Sequence, residues 1–191
     1  MVNPANALTV LRLIMVPFFV VFLVEGGTGW RLTAFALFVV ASVTDLLDGR
    51  LARQRGLVTD FGKIADPIAD KALTGSALVT LSVLGHLSWW VTVVILIREL
   101  GITALRLAVI RRNVIAASRG GKLKTLLQVI AIGLYVLPGP LGLARPVLMG
   151  AAVVVTLVTG ADYVVRAWSR PAWSRPAWSR SAWPGRRHDR D

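Results

Sequence analysis

The sequence predicts an all-α integral membrane protein, with six transmembrane helices after a short amino-terminal interfacial segment and both termini cytoplasmic. Three observations predict it. Of the 191 residues, 55% are hydrophobic, and the mean hydropathy is positive. The apolar residues gather into six runs, the form membrane spans take. The 22 lysines and arginines fall mostly in alternate connections and near the end of the chain, which is the charge asymmetry of a multi-span protein.

Residues 1–9, MVNPANALT, predict the interfacial segment: Pro4 and Asn6 oppose a helix, and Thr9 is placed to cap the next one. Leu8 to Val24 is the first span, interrupted by Arg12. It lacks the basic flank and small-residue cleavage site of a signal peptide. A Gly-rich turn, 25–30, leads to the second span, Arg31 to Leu47, and a basic loop covers 49–61. The third helix runs from Gly62 to about Leu84, and the turn at 85–90 ends in an aromatic pair suited to an interface. The fourth span is Trp89 to about Ile110, followed by the polar loop 111–124. The fifth, Thr125 to about Leu137, stops at Pro138-Gly139-Pro140, and the sixth runs from about Pro146 to Val165.

Loop charge sets the orientation. Arg50, Arg53, Arg55 and Lys63 follow span two; Arg111, Arg112, Arg119, Lys122 and Lys124 follow span four; seven arginines follow from Arg166 onward. The opposite side carries Arg31 and Arg145. The formal charge of +12 therefore reads as topology and not as a nucleic-acid surface. Residues 1–166 form the membrane domain. Residues 167–191 repeat AWSRP, AWSRP, AWSRS and AWPGR with a period of five and hold four of the seven tryptophans. Proline forbids a continuous helix through this tail, leaving a disordered extension or a peripheral segment on anionic lipid.

The chemistry concentrates at residues 45–70, which read D-x2-D-G-x2-A-R-x8-G-x3-D-x3-D. Asp45 and Asp48 are three apart and Asp66 and Asp70 four apart, so on helices each pair shares one face. Four carboxylates meeting at one point repel unless a cation joins them, and an all-oxygen set suits Mg²⁺ or Mn²⁺. There is no cysteine, and His86 and His188 are the two histidines. Thiolate chemistry, disulfides and a multi-histidine site are thereby excluded.

The 45–70 pattern resembles, at all eight fixed positions, the signature of the CDP-alcohol phosphotransferases, membrane enzymes of phospholipid synthesis. NPANALTVLRL with Pro17, IRELGITALRL at 97–107 and VIAASRGGKLKT at 114–125 are similar to the branch that makes phosphatidylglycerophosphate. The resemblance covers about residues 3–166. It implies transfer of a phosphatidyl group from CDP-diacylglycerol to glycerol 3-phosphate, with loss of CMP and with two divalent ions on Asp45, Asp48, Asp66 and Asp70. Asp70 is also implied as the general base. Gly49 and Gly62 would let the nucleotide or a partner helix come close. Arg53 would pair with a nucleotide phosphate, Thr59 matches a nucleotide-binding position, and Asn6 and Thr9 would close the pocket. For the acceptor phosphate the cations chosen are Arg106, Lys122 and Lys124, read as lacking nearby acidic partners.

Arg98, deeper in its span, is expected to pair with an acid on another helix. Lys71 is expected to neutralise charge beside Asp70, and Asp162 to meet Arg106 or Arg166. His86 is expected at the far interface. Partners implied are the two substrates and the bilayer, with no nucleic acid; relatives are commonly homodimers, which the sequence does not fix. Inositol 1-phosphate and phosphatidylglycerol are rival acceptors within the family. A cation transporter is the rival from outside it, but it would place acids at mid-membrane and not at the cytoplasmic ends of helices.

Overall fold

The computed structural model describes the backbone of residues 4–55, 60–110 and 119–169, and the side chains of 7–45, 68–104 and 124–165. Among the described residues six helices follow in order: α1 Pro4–Glu25, α2 Gly27–Arg55, α3 Asp60–Val83, α4 Trp89–Ile110, α5 Arg119–Val136 and α6 Ala144–Ser169. Among the described residues there is no strand.

Several ends depart from the sequence expectation because helices reach further than the apolar runs. The stretch expected as an interfacial segment is already helical from Pro4. Proline fits a first turn because the N–H it lacks would have no partner there, and Thr9 lies inside α1 instead of capping it. The basic loop expected at 49–61 is helical to Arg55, since Leu, Ala, Arg and Gln are good helix formers whatever their charge. α5 begins at Arg119, which puts Lys122 and Lys124 on a helix rather than in a loop. α6 continues to Ser169, into the first copy of the tail repeat.

Glycine makes the tight connections. Gly26 and Gly27 both take φ +71° between α1 and α2, and across that turn Phe22 stacks on Trp30 with ring centroids 5.2 Å apart. α3 closes with a left-handed glycine: Gly85 takes φ +72°. The His86 N–H donates to the Leu81 carbonyl (2.9 Å) and the Gly85 N–H to that of Ser82 (3.1 Å), the paired bonds of a Schellman stop.

α1 packs on α2 and α3, α5 on α6, α2 and α3, and α4 on α3 and α6. Phe19, Leu23, Phe38, Leu78, Leu81, Ile95, Ile132 and Val136 form the centre of the core. Outside it the molecule stays apolar. Val10, Leu11, Ile14, Phe18, Val21 and Val24 run down the exposed face of α1, so this helix is hydrophobic all round, as a lipid-facing helix is. Among the described residues three helices are long and apolar enough to cross a membrane, over Ala7–Glu25, Gly27–Asp45 and Ala144–Val165; Lys124–Val136 is a shorter apolar helix.

Arg31 and Arg145 meet at the end of α5. Arg31 donates from Nε to the Val136 carbonyl (3.1 Å) and from a terminal nitrogen to that of Tyr135 (2.6 Å). Arg145 donates to the carbonyls of Leu134 (2.9 Å), Leu137 (2.5 Å) and Gly139 (3.0 Å). The last turn of a helix has carbonyls without helical partners and carries partial negative charge, and these two guanidiniums satisfy both needs. Close by, partial desolvation and then the charges of Arg31 and Arg145 hold the exposed His86 ring below the usual imidazole range.

Candidate active site

The connection 56–59 joins the two helices that carry the aspartates. Asp45 lies ten residues before Arg55 on α2, and Asp70 lies ten residues after Asp60 on α3. Both therefore stand at the same helical rise from the connection, roughly 15 Å. Their carboxylates are 39% and 35% exposed, accessible to a ligand and yet anchored. Asp48 and Asp66 are on the same helices with side chains outside the described residues, so no described group of three acids or histidines forms a metal cluster.

Asp45 and Asp70 each have a cation beside them. Arg12, 1% exposed on α1, donates to Asp45 Oδ1 at 2.5 Å. Burying a guanidinium in the most apolar helix is costly unless it is paired, and this contact supplies the pair. Sequence reading passed over Arg12 as an interruption of an apolar run. The signal was there, since a charge inside a membrane span marks function or a buried partner. On α3, Lys71 Nζ stands 3.5 Å from Asp70 Oδ2, the neutralising contact expected of it.

Lys71 has a second partner, Glu99 on α4, and Glu99 also holds Lys124 of α5. Arg98 donates to the same carboxylate at 3.1 Å. The acceptor cations were read as free of acidic neighbours; for Lys124 that is corrected, because its ammonium is buried on Glu99. Glu99 and Lys124 are 25 residues apart, so folding and not sequence proximity brings them together. Arg98 thus meets Glu99, its neighbour in sequence on its own helix. Across to α6, Arg98 donates to the Thr156 carbonyl (3.2 Å) and the Thr159 hydroxyl (2.9 Å). Gly160 makes room for this arginine, as a Cβ there would stand 3.2 Å from Arg98 Cγ.

Thr9 is fully buried in α1. Asn6, Gly49, Arg53, Gly62, Arg106 and Lys122 have helical backbone, with side chains and surroundings outside the described residues, and Thr59 lies outside them altogether. Asp162 is exposed on α6. Half-exposed carboxylates on adjacent helices are hard oxygen donors, and that donor chemistry fits Mg²⁺ or Mn²⁺.

Comparison with known proteins agrees with the aspartate pattern. Residues 2–158 match the family model described as CDP-alcohol phosphatidyltransferase. The chain is 59% identical over 170 residues to a probable phosphatidylglycerophosphate synthase of Mycobacterium tuberculosis, covering 86% of this chain and 81% of that protein. To the CDP-diacylglycerol–glycerol-3-phosphate 3-phosphatidyltransferase of Bacillus subtilis it is 34% identical over 186 residues, covering 88% and 96%. The enzyme of the same name from Escherichia coli K12 is 40% identical over 136 residues, covering 68% and 74%. A match spanning both aspartate pairs and five of the six helices leaves one conclusion: the chain belongs to the CDP-alcohol phosphatidyltransferase family.

Proposed function

We propose that this protein transfers the phosphatidyl group of CDP-diacylglycerol to glycerol 3-phosphate, releasing CMP and forming phosphatidylglycerophosphate. The observation that carries this reading is the complete 45–70 aspartate signature in a chain whose relatives bear that activity in their names.

Asp45, Asp48, Asp66 and Asp70 would hold the divalent ions, two in number. When bound, such ions offset the charge of the diphosphate and of the departing CMP. Arg53 and Thr59 bind the nucleotide, with Gly49 and Gly62 giving it room and Asn6 and Thr9 closing the pocket. Asp70 accepts the proton of the acceptor hydroxyl as the hydroxyl oxygen bonds to the β-phosphorus. The bond from that phosphorus to the bridging oxygen breaks, and CMP carries the electron pair away. A carboxylate beside metal is a weak base, so placement within hydrogen-bond reach is what it contributes. Arg106, Lys122 and Lys124 receive the acceptor phosphate, Lys124 from its place on Glu99.

All six helices span the bilayer in this reading, with both termini and the aspartates at the cytoplasmic face of the cell membrane, supported by the loop charge asymmetry. The test is CMP release by purified protein given CDP-diacylglycerol, Mg²⁺ or Mn²⁺ and each acceptor in turn. Turnover with glycerol 3-phosphate is expected. Turnover with inositol 1-phosphate or phosphatidylglycerol instead would move the chain to another branch.

A further inference from the structure

The network around Glu99 carries a role that the aspartate signature does not assign. Its Oε1 accepts from Lys124 and Arg98, and its Oε2 accepts from Lys71. One carboxylate thus collects cations from α3, α4 and α5, and Arg98 ties it to α6. Glu99 is 7% exposed and Lys124 is 5% exposed. There the Lys124 ammonium is held where the carboxylate sets it, and loss of one partner strands the other charge; Lys71, 28% exposed, reaches the same carboxylate from the more open side. One of these cations reaches the chemistry directly, since Lys71 lies 3.5 Å from Asp70.

We infer that Glu99 is a positioning residue for the acceptor: it fixes the Lys71 and Lys124 ammoniums beside Asp70, where they grip the acceptor's phosphate. This rests on the phosphorylated acceptor proposed above. In glycerol 3-phosphate a three-carbon skeleton separates the phosphate from the attacking hydroxyl. Cations that bind one end must therefore stand a few ångströms from the base that serves the other. Lys71 meets that requirement from the residue next to Asp70, and Glu99 couples Lys124 to it.

Steady-state kinetics of Glu99→Gln test this. The amide keeps the shape and loses the charge, so the KM for glycerol 3-phosphate should rise about tenfold or more. The KM for CDP-diacylglycerol should stay within about twofold. In parallel, glycerol 3-phosphate alone should raise the Tm of the wild type in detergent, and should raise that of Glu99→Gln far less. Should Glu99→Gln fail to fold, Glu99→Asp carries the test: the shorter carboxylate draws both ammoniums off their places, and the acceptor KM alone rises about threefold. A loss confined to kcat, or a common change in both KM values, would mean that Glu99 merely holds helices together and would overturn the inference. Wild-type turnover with unphosphorylated glycerol and none with glycerol 3-phosphate would instead sink the proposed acceptor.

Discussion

Asp45 and Asp70 are alike in exposure and rank along their helices, but their cation neighbours differ, and so do the outcomes of mutating around them. Asp70→Asn should abolish CMP release while CDP-diacylglycerol still binds, because the amide keeps the shape and cannot take the proton; binding is read with radiolabelled lipid nucleotide. Arg12→Met keeps most of the buried stem and removes the bond to Asp45. The expected cost is about 2 kcal/mol, the range for a hydrogen bond to a charged group, seen as a lowered Tm in detergent. The aspartate pattern was legible because its members lie within 26 residues and share helix faces. Arg12 with Asp45, 33 apart, and Lys71 with Glu99, 28 apart, were not, since no local spacing relates them. Lys124 was taken for a free cation for the same reason.

At the scale of the helix, chain ends were less legible than helix identities. α4 runs from Trp89 to Ile110 as its sequence predicts, bounded by a turn before the tryptophans and a polar stretch after. α2 and α5 were cut short at their charges, because an apolar run marks where a span lies and not where helical backbone stops. Helix contacts also set what glycine can become. A side chain at Gly160 must displace Arg98, whose Cγ and Nε would lie 3.2 and 3.3 Å from the new Cβ. Gly160→Leu should therefore loosen α4 from α6 at a cost of about 1–3 kcal/mol, read as a Tm decrease. Gly101→Ala, on α4 where a Cβ meets open space, should leave Tm unchanged or higher. Equal effects of the two would remove the close approach as the cause.

For the molecule as a whole, the absence of cysteine makes sidedness easy to measure. Ser88→Cys, in the exposed turn between α3 and α4, should react with a membrane-impermeant maleimide in intact cells. Ser118→Cys, in the polar stretch before α5, should react after the cells are opened. The reverse pattern would invert the proposed orientation. The proposed orientation rests on loop charge, and Arg31 and Arg145 show what such a count misses. Both are spent on the carbonyls that end α5, so they stabilise a helix end as well as marking a side.

The matched offsets of Asp45 and Asp70 from the connection 56–59 decide where the gene can gain or lose a codon. An extra residue in the connection leaves both helical registers intact but breaks the x8 spacing between Arg53 and Gly62 and shifts Thr59, so the KM for CDP-diacylglycerol should rise while CMP release persists. An alanine inserted after Asp66 swings Asp70 by about 100° and lifts it about 1.5 Å, and CMP release should vanish although the same amino acid was added. A one-codon gain should thus weaken nucleotide binding in the connection and abolish turnover a few residues further into α3.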